Sequence, residues 1–153
     1  MSKIYIIVDG SNVAFSYRNS KKEAKIENIN IIIEILKELS NNYNLEFRVI
    51  IDASLRHRID KKEELEELEK IGLIIQTPRN HQADEFIIEF AKRHPENTII
   101  ISNDAFGEYD SKGLIICNFL VFFSEIIIRP DPINILGDKA ILKKGRKTNV
   151  CKV

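Results

Sequence analysis

The chain has 153 residues, of which 44% are hydrophobic and 30% are charged, a composition typical of one globular domain with a substantial core. Its apolar runs are shorter than a membrane-spanning helix requires, which argues against a membrane protein. Two cysteines are too few for a disulfide framework, and the first residues have no signal-peptide pattern, so we expect a cytoplasmic protein.

The net charge is zero, but the charges are unevenly distributed. Residues 139–153 carry six basic and no acidic side chains, which leaves 17 basic against 23 acidic side chains in residues 1–138, a net charge of −6. We predict one domain over residues 1–138 and a flexible basic tail at 139–153. Such a tail is typical of a chain that binds a polyanion, although a solvated terminus without a partner explains the same pattern.

The first predicted element is a strand at residues 4–9, an apolar run that ends in Asp9. Consecutive apolar positions are typical of a strand buried on both faces of a sheet. Gly10 lets the chain turn sharply, and Ser11 and Asn12 place short polar groups beside the acid. A strand that ends in an Asx turn is the structural alternative for this segment.

Helices and strands alternate along the rest of the chain. Two capping boxes, Ser20 with Glu23 and Asp60 with Glu63, predict the starts of the first two helices. The three predicted helices cover residues 20–42, 60–72 and 83–93.

The predicted strands alternate with these helices. In chain order they cover residues 4–9, 47–52, 73–76, 98–102 and 114–117, with a late strand or hairpin at 120–128. Pro130 and Pro132 are predicted to end the ordered region. Strands that alternate with helices indicate a three-layer α/β/α domain with a mainly parallel central sheet.

Acidic residues follow three of these strands. Asp9, Asp52 and Asp104 are expected at one edge of the sheet, because the carboxyl ends of parallel strands meet there. Asp84 joins them, since it shares a helical face with the core-facing residues that follow it and begins a helix at the same edge. Taken singly, Asp84 is explained equally well as an acid favoured by the helix dipole, and Asp104 as a turn residue.

Several carboxylates in one place need neutralisation by basic side chains or by a divalent cation, because like charges raise one another's pKa. Oxygen ligands without a cysteine or histidine cluster favour Mg²⁺ or Mn²⁺. The sequence contains no P-loop lysine motif and no dinucleotide-binding or serine-hydrolase motif, which argues against those three classes.

Three sequence blocks carry a family resemblance: residues 8–14 (Val-Asp-Gly-Ser-Asn-Val-Ala), 83–88 (Ala-Asp-Glu-Phe-Ile-Ile) and 102–106 (Ser-Asn-Asp-Ala-Phe). Together they resemble the NYN branch of the PIN-like nucleases, and most closely the regnase-type endoribonuclease domain. The resemblance implies a PIN-like, Rossmannoid fold and a Mg²⁺-dependent endoribonuclease. The metal-binding acids of that family fall on Asp9, Asp84, Glu85 and Asp104.

Two positions depart from the family pattern. The family commonly has a second aspartate where this chain has Glu85, and an Arg-Asp pair where this chain has Gly107-Glu108. These departures concern the peripheral ligands of the expected metal site. The supporting residues that we expect around the acids are Ser11, Asn12, Asp52, Asn103 and Glu108.

The predicted chemistry is metal-assisted hydrolysis of RNA phosphodiester bonds, which leaves 5′-phosphate and 3′-hydroxyl ends. The substrate is expected to be single-stranded RNA or structured RNA with single-stranded loops, and a homodimer is left open. Because an acidic pocket repels phosphate, basic side chains are needed to attract the strand. The candidates are Arg18, Arg56, Arg58, Arg79, Lys143, Lys144, Arg146 and Lys147. The alternative function is a non-catalytic RNA-binding or protein-interaction module on the same fold.

Overall fold

The structure is a computed structural model that describes residues 3–16 and 21–139. Within these residues the strands are β1 (Ile4–Asp9), β2 (Leu45–Ile51), β3 (Ile74–Gln76), β4 (Thr98–Ile101), β5 (Ile115–Phe122) and β6 (Glu125–Arg129). The helices are α1 (Gly10–Phe15), α2 (Ile26–Asn42), α3 (Lys62–Lys70), α4 (Ala83–Arg93) and α5 (Pro132–Lys139), with a 3₁₀ helix at Ala53–His57. In this part of the chain, none of the helices has the length and hydropathy to span a bilayer.

The six strands form one sheet in the order β3-β2-β1-β4-β5-β6. The pairs β3–β2, β2–β1, β1–β4 and β4–β5 are parallel, and β6 returns antiparallel to β5 as a hairpin. In chain order, β2 and β3 follow on one side of β1, and β4 then lies on the other side of β1. Open α/β sheets form their ligand crevice at such a switch point. The predicted mainly parallel sheet is confirmed, whereas the predicted fifth strand and late segment together form one hairpin, in which β5 runs without a break from Ile115 to Phe122.

Helices cover both faces of the sheet and bury two cores. On one face, Ile6 and Val8 of β1 pack in a core that also includes residues of α1, α2, α3 and α5. On the opposite face, Ile7 packs with Ile87 of α4 and Ile100 of β4. The apolar run of β1 is therefore buried from both sides, as its sequence predicts for a central strand.

The start of α2 differs from the prediction for a physical reason. The helix begins at Ile26, six residues after Ser20, which itself lies outside the described residues. The backbone N–H of Ile26 donates to Oδ1 of Asp60 at 3.0 Å. A bridge between Ala24 and Ile59 holds the two segments together. Asp60 therefore caps α2 across the fold, and α3 begins without a side-chain cap.

The end of the chain is also more ordered than predicted. Pro132 does not end the ordered region but begins α5, where a proline is favourable because the first helical residues need no N–H partner. Leu136 of α5 is fully buried against the core on the α2 face. Residues 140–153 of the predicted basic tail lie outside the described residues.

Candidate active site

An open cavity of about 630 Å³ lies at the carboxyl edge of the sheet, beside the switch point between β1 and β4. Four of the predicted acids line it: Asp9, Asp52, Asp84 and Asp104. Each of them comes from a different element or loop, in agreement with the positions expected for strand ends and for the first turn of a helix. The cavity brings together residues that are up to 95 positions apart in the chain.

Asp9 is the most buried of these acids, with 7% of its surface exposed. Its Oδ2 accepts a hydrogen bond from the hydroxyl of Ser102 at 2.9 Å, and its Oδ1 accepts one from the backbone N–H of Asn12 at 3.3 Å. Burial raises the pKa of the Asp9 carboxyl to about 6, against the opposing effect of these two hydrogen bonds. The negative charges of Asp52 and Asp104 contribute further to the higher pKa.

The two residues after Gly10 connect Asp9 to both neighbouring strands. The hydroxyl of Ser11 accepts a hydrogen bond from the backbone N–H of Asp52, which follows β2. The amide oxygen of Asn12 accepts one from the backbone N–H of Asn103, which follows β4. Ser11 and Asn12 therefore align the ends of three adjacent strands around the cavity.

Gly10 is required by close packing and not, as the sequence suggested, by a sharp turn. The residue begins α1 directly against β2. A Cβ atom added at this position would lie 2.5 Å from Cγ1 of Val49 and 2.7 Å from Cγ2 of Ile51. These distances are far below van der Waals contact, so a side chain would force α1 and its polar residues away from the sheet.

Asp84 occupies the first turn of α4 and faces the cavity. Its Oδ1 is buried and has no hydrogen-bond partner among the described residues. Burial raises the pKa of the Asp84 carboxyl, and the charge of Asp104 raises it further. A buried carboxylate oxygen without a donor is costly, so this atom is suited to meet a cation.

Asp104 lies in the loop after β4 and is exposed to solvent. Its Oδ1 accepts a hydrogen bond from the backbone N–H of Phe106 at 2.8 Å, and its own backbone N–H donates to the hydroxyl of Ser102 at 3.0 Å. Ser102 therefore connects Asp9 to Asp104 through one hydroxyl group. Ser102 was not selected from the sequence, although its position directly after β4 and opposite the end of β1 indicates its proximity to Asp9.

Asp52 positions a helix in addition to lining the cavity. Its Oδ1 accepts a hydrogen bond from the backbone N–H of Ala83, the first residue of α4, at 2.5 Å. This contact fixes the helix start, and with it Asp84, against the end of β2. The sequence placed Asp52 at this edge but provided no sign of its bond to a helix 31 residues later.

Glu85 is not among the residues that line the cavity, and its predicted role as a metal-binding acid beside Asp84 stays a prediction. Its Oε1 accepts the backbone N–H of Gln82 at 3.2 Å within a capping box, and it lies 3.3 Å from Nδ1 of His81. The capping box therefore engages one oxygen of this carboxylate, Oε1. Glu108 lies in a smaller neighbouring cavity that Asp84 and Asp104 also line.

The predicted RNA-binding arginines have different environments. Arg58 lines the cavity, and its guanidinium lies 4.5 Å from the ring centroid of Phe15. Arg56 instead pairs with Glu69 at 3.0 Å. Arg79 is exposed in the loop before α4 but does not line the cavity. The remaining candidates lie outside the described residues: Arg18, Lys143, Lys144, Arg146 and Lys147.

The acids line one cavity, but among the described residues they do not form a group of three side chains close enough to coordinate one metal ion. Within residues 3–16 and 21–139, no group of three histidine, cysteine, aspartate or glutamate side chains is close enough to hold an ion by itself. Any ion at this edge would therefore need ligands beyond the protein's own side chains, from water or from a bound phosphate.

The solved structures that share this fold include the following two. Both are of nuclear protein-only RNase P 2 (PRORP2) from Arabidopsis thaliana. One has a TM-score of 0.63 and 14% sequence identity and covers 82% of this chain and 29% of that chain. The other has a TM-score of 0.65 and 14% identity and covers 84% of this chain and 30% of that chain. At this identity the likeness shows the fold alone, and the present chain spans less than a third of those proteins.

The sequence itself identifies the family. No curated protein matches the chain. The family described as "Zc3h12a-like Ribonuclease NYN domain" matches residues 2–115, from the first strand to the beginning of β5. The match includes all four acids of the cavity and covers most of the chain. The protein therefore belongs to the Zc3h12a-like ribonuclease NYN domain family.

Proposed function

We propose that this protein is a metal-dependent endoribonuclease that hydrolyses RNA phosphodiester bonds at the cavity lined by Asp9, Asp84 and Asp104. The observation that carries the proposal is the buried Oδ1 of Asp84, which has no hydrogen-bond partner among the described residues and belongs to the same cavity as Asp9. A cation satisfies this oxygen and lowers the repulsion among the carboxylates. Membership of a ribonuclease family supports RNA as the substrate.

The donor atoms fit Mg²⁺ or Mn²⁺, because carboxylate oxygens line the cavity without any cysteine. Mg²⁺ commonly binds through one or two carboxylates and completes its coordination with water and substrate phosphates, so it does not require a group of three protein ligands. We assign Asp9 and Asp104 as the principal ligands and Asp84 as the residue that orients the ion or the attacking water. Glu85 is left out of this set, since the capping box engages its Oε1.

The chain's own residues orient the carboxylates and attract the substrate. A bound divalent ion supplies Lewis acidity to the phosphate and to the attacking water. Ser102 and Asn12 fix the two oxygens of Asp9, and Asp52 holds the helix that carries Asp84. Arg58 is the cation on the cavity wall that attracts phosphate, and the basic residues of the tail add affinity without taking part in the chemistry.

The test is cleavage of end-labelled single-stranded and hairpin RNAs by the purified chain with Mg²⁺, with Mn²⁺ and with EDTA. We expect cleavage only with a divalent ion, and products that carry 5′-phosphate and 3′-hydroxyl ends. Equal cleavage in EDTA contradicts the metal requirement. RNA that stays intact with both ions contradicts the enzymatic function.

One observation favours a second candidate, a non-catalytic RNA-binding module. The described residues contain no group of three side chains that holds an ion by itself, which is what a binding domain without activity would also show. The two functions differ in the effect of metal on stability. An enzyme that binds Mg²⁺ at the cavity gains thermal stability when the ion is added, whereas its Asp9→Asn variant gains much less.

A further inference from the structure

One part of the active cavity wall is formed by an aromatic ring and an arginine. Phe15, the last residue of α1, and Arg58, which directly follows the 3₁₀ helix, both line the cavity together with Asp9. The guanidinium carbon of Arg58 lies over the Phe15 ring, 4.5 Å from its centroid. This distance is within the roughly 6 Å over which the face of a ring attracts a cation. The arginine of the cavity wall is therefore stacked on the ring.

Arg58 has no carboxylate partner among the described residues, although four aspartates line the same cavity. Other arginines in this part of the chain differ in this respect. Arg48, Arg56 and Arg93 each lie close to a glutamate, at 3.9, 3.0 and 2.6 Å. At Arg58 the aromatic ring takes the place of the acid. The positive charge is therefore not neutralised by a carboxylate of the described residues, and the guanidinium can bind an anion that enters the cavity.

Two neighbouring backbone groups hold the ring and the arginine next to each other. The backbone N–H of Ala24 donates to the carbonyl oxygen of Arg58 at 2.9 Å. The backbone N–H of Lys25 donates to the carbonyl oxygen of Ala14, the residue before Phe15, also at 2.9 Å. The Phe15 ring itself packs partly against the core on this face of the sheet. The relative position of the two residues is therefore set by the backbone as well as by the contact between their side chains.

Stacking on Phe15 suits the guanidinium of Arg58 for binding phosphate. Arginine commonly stacks its planar guanidinium on the face of an aromatic ring, and in that arrangement its N–H donors point outward in the plane. Two of these donors can bind one phosphate through parallel hydrogen bonds. Without the ring, the long side chain could turn toward the aspartates of the same cavity, which would neutralise its charge. Phe15 therefore supports the arginine and does not itself need to touch the phosphate.

The length of α1 separates this pair from the acid at its start. Asp9 is the N-cap residue of α1, and Phe15 is the last of its six residues. At 1.5 Å per residue, the backbone positions of Asp9 and Phe15 are roughly 9 Å apart along the helix. An ion at Asp9 and a guanidinium over Phe15 are therefore better placed to contact two phosphates of one strand than to contact a single phosphate.

We propose that Arg58 binds a phosphate next to the scissile phosphate, and that Phe15 is a positioning residue that holds the guanidinium for this contact. The inference rests on the proposed function, in which the scissile phosphate lies at the acids. It implies that a substrate needs a second charged phosphate beside the bond that is cut. A dinucleotide, which has one linkage, is then a poor substrate, whereas an internal bond of a longer strand meets the requirement.

The experiment uses short RNAs in which one uncharged methylphosphonate replaces the phosphate on the 5′ side or on the 3′ side of a mapped cleavage site. Affinity is measured in Ca²⁺ by fluorescence anisotropy, and cleavage is measured in Mg²⁺. The variants are Arg58→Met, Phe15→Leu, Phe15→Tyr and the double variant Arg58→Met/Phe15→Leu, each checked for folding by thermal unfolding. Arg93→Met is the matched control, because Arg93 is the last residue of α4, at the end opposite to Asp84, and does not line the cavity.

We expect Arg58→Met to weaken binding about tenfold to a hundredfold, the range for hydrogen bonds to a charged group. Phe15→Leu should weaken it about twofold to fivefold, as expected for a lost cation–π contact, and should add nothing in the double variant. Phe15→Tyr should keep the wild-type affinity, and Arg93→Met should have little effect. One of the two methylphosphonates should weaken binding by wild type but not by Arg58→Met. In Mg²⁺, Arg58→Met should raise KM while kcat changes little.

Two results contradict the phosphate contact alone while the wild-type chain cleaves RNA normally. One is a methylphosphonate effect that is absent in wild type or equally large in Arg58→Met. The other is a loss of kcat with an unchanged KM in Arg58→Met, which would place Arg58 at the scissile phosphate. A further loss of affinity from Phe15→Leu in the double variant contradicts the positioning role of Phe15.

The same measurements separate this inference from the proposed function. Absence of cleavage in both Mg²⁺ and Mn²⁺, together with an affinity that depends on Arg58, contradicts the enzymatic function and leaves a phosphate contact at Arg58. A wild-type chain that neither binds nor cleaves the RNA contradicts both.

Discussion

Residues 9–12 and the first turn of α4 face the same cavity but differ in how their polar groups are bonded. In residues 9–12, each polar side chain has a hydrogen-bond partner. These hydrogen bonds connect the end of β1 to residues that directly follow β2 and β4. In the first turn of α4, Asp84 keeps a buried oxygen without a partner among the described residues, whereas Oε1 of Glu85 is engaged by the helix cap. The difference indicates that residues 9–12 hold the strand ends around the cavity together, whereas Asp84 supplies an oxygen that is free to bind a ligand.

The largest expected effect is the loss of activity in Asp9→Asn. Asparagine keeps the shape, and its amide group can donate to the hydroxyl of Ser102, so the frame should stay folded. It removes the charge needed by a principal ligand, and we expect cleavage to fall about a hundredfold or more. Asp110→Asn is the control, since Asp110 is an exposed acid that does not line the cavity. A folded Asp9→Asn protein with the wild-type rate would rule out Asp9 as a ligand.

Asp84→Asn and Glu85→Gln compare two neighbouring acids of α4 directly. We expect Asp84→Asn to lower the cleavage rate about tenfold to a hundredfold, because it removes the charge of the carboxylate whose buried Oδ1 has no hydrogen-bond partner among the described residues. Glu85→Gln should change the rate less than about threefold, since glutamine can preserve the capping box. The rates should be measured at saturating Mg²⁺. Equal losses in the two variants would place Glu85 at the metal and contradict the difference between the two acids.

The raised pKa of Asp9 predicts how pH affects the stability of the metal-free protein. Because the folded state holds this proton up to about pH 6, and a free aspartate releases it near 3.8, stability decreases as pH rises between these values. The penalty at neutral pH is at most roughly 3 kcal/mol. Urea unfolding in EDTA should show Asp9→Asn gaining more stability over wild type at pH 7.5 than at pH 4. A pH-independent difference would show that burial does not shift this pKa.

Gly10→Ala should lower the free energy of unfolding by roughly 1–3 kcal/mol, which is typical of overpacking. The added methyl group would contact Val49 and Ile51 at the distances of a steric clash. Gly107→Ala is the matched control, because a Cβ there meets nothing within 4 Å. Thermal unfolding of both variants measures the difference. If the two substitutions were equally tolerated, close packing of α1 on β2 would not be the reason for glycine at position 10.

The sequence predicted the elements whose signals are local. β1 is an uninterrupted apolar run, and α4 was predicted at its observed bounds because its helical spacing begins at residue 83 and Pro95 lies just beyond its end. The edge position of the acids followed from these elements, since parallel strands place their carboxyl ends together. The family resemblance was confirmed by the match over residues 2–115.

Features that depend on contacts between distant residues could not be predicted in this way. The local pattern around Asp60 fits a cap for α3, but its carboxylate caps α2 because the bridge at Ile59 brings Ile26 next to it. The bond from Ala83 to Asp52 and the burial of Leu136 in α5 also depend on the folded arrangement. In each case a tertiary contact overrides or adds to a signal from neighbouring residues.

The cap of α2 by Asp60 has a consequence for the order in which the chain folds. The acceptor for the first N–H of the helix is 34 residues further along the chain, beyond β2. During synthesis, residues 26–42 emerge well before this carboxylate, so the first turn of α2 stays uncapped until β2 and the 3₁₀ helix have been made. Closing such a loop costs entropy before its contacts form, so the helix start and the β1–β2 pair should become stable together.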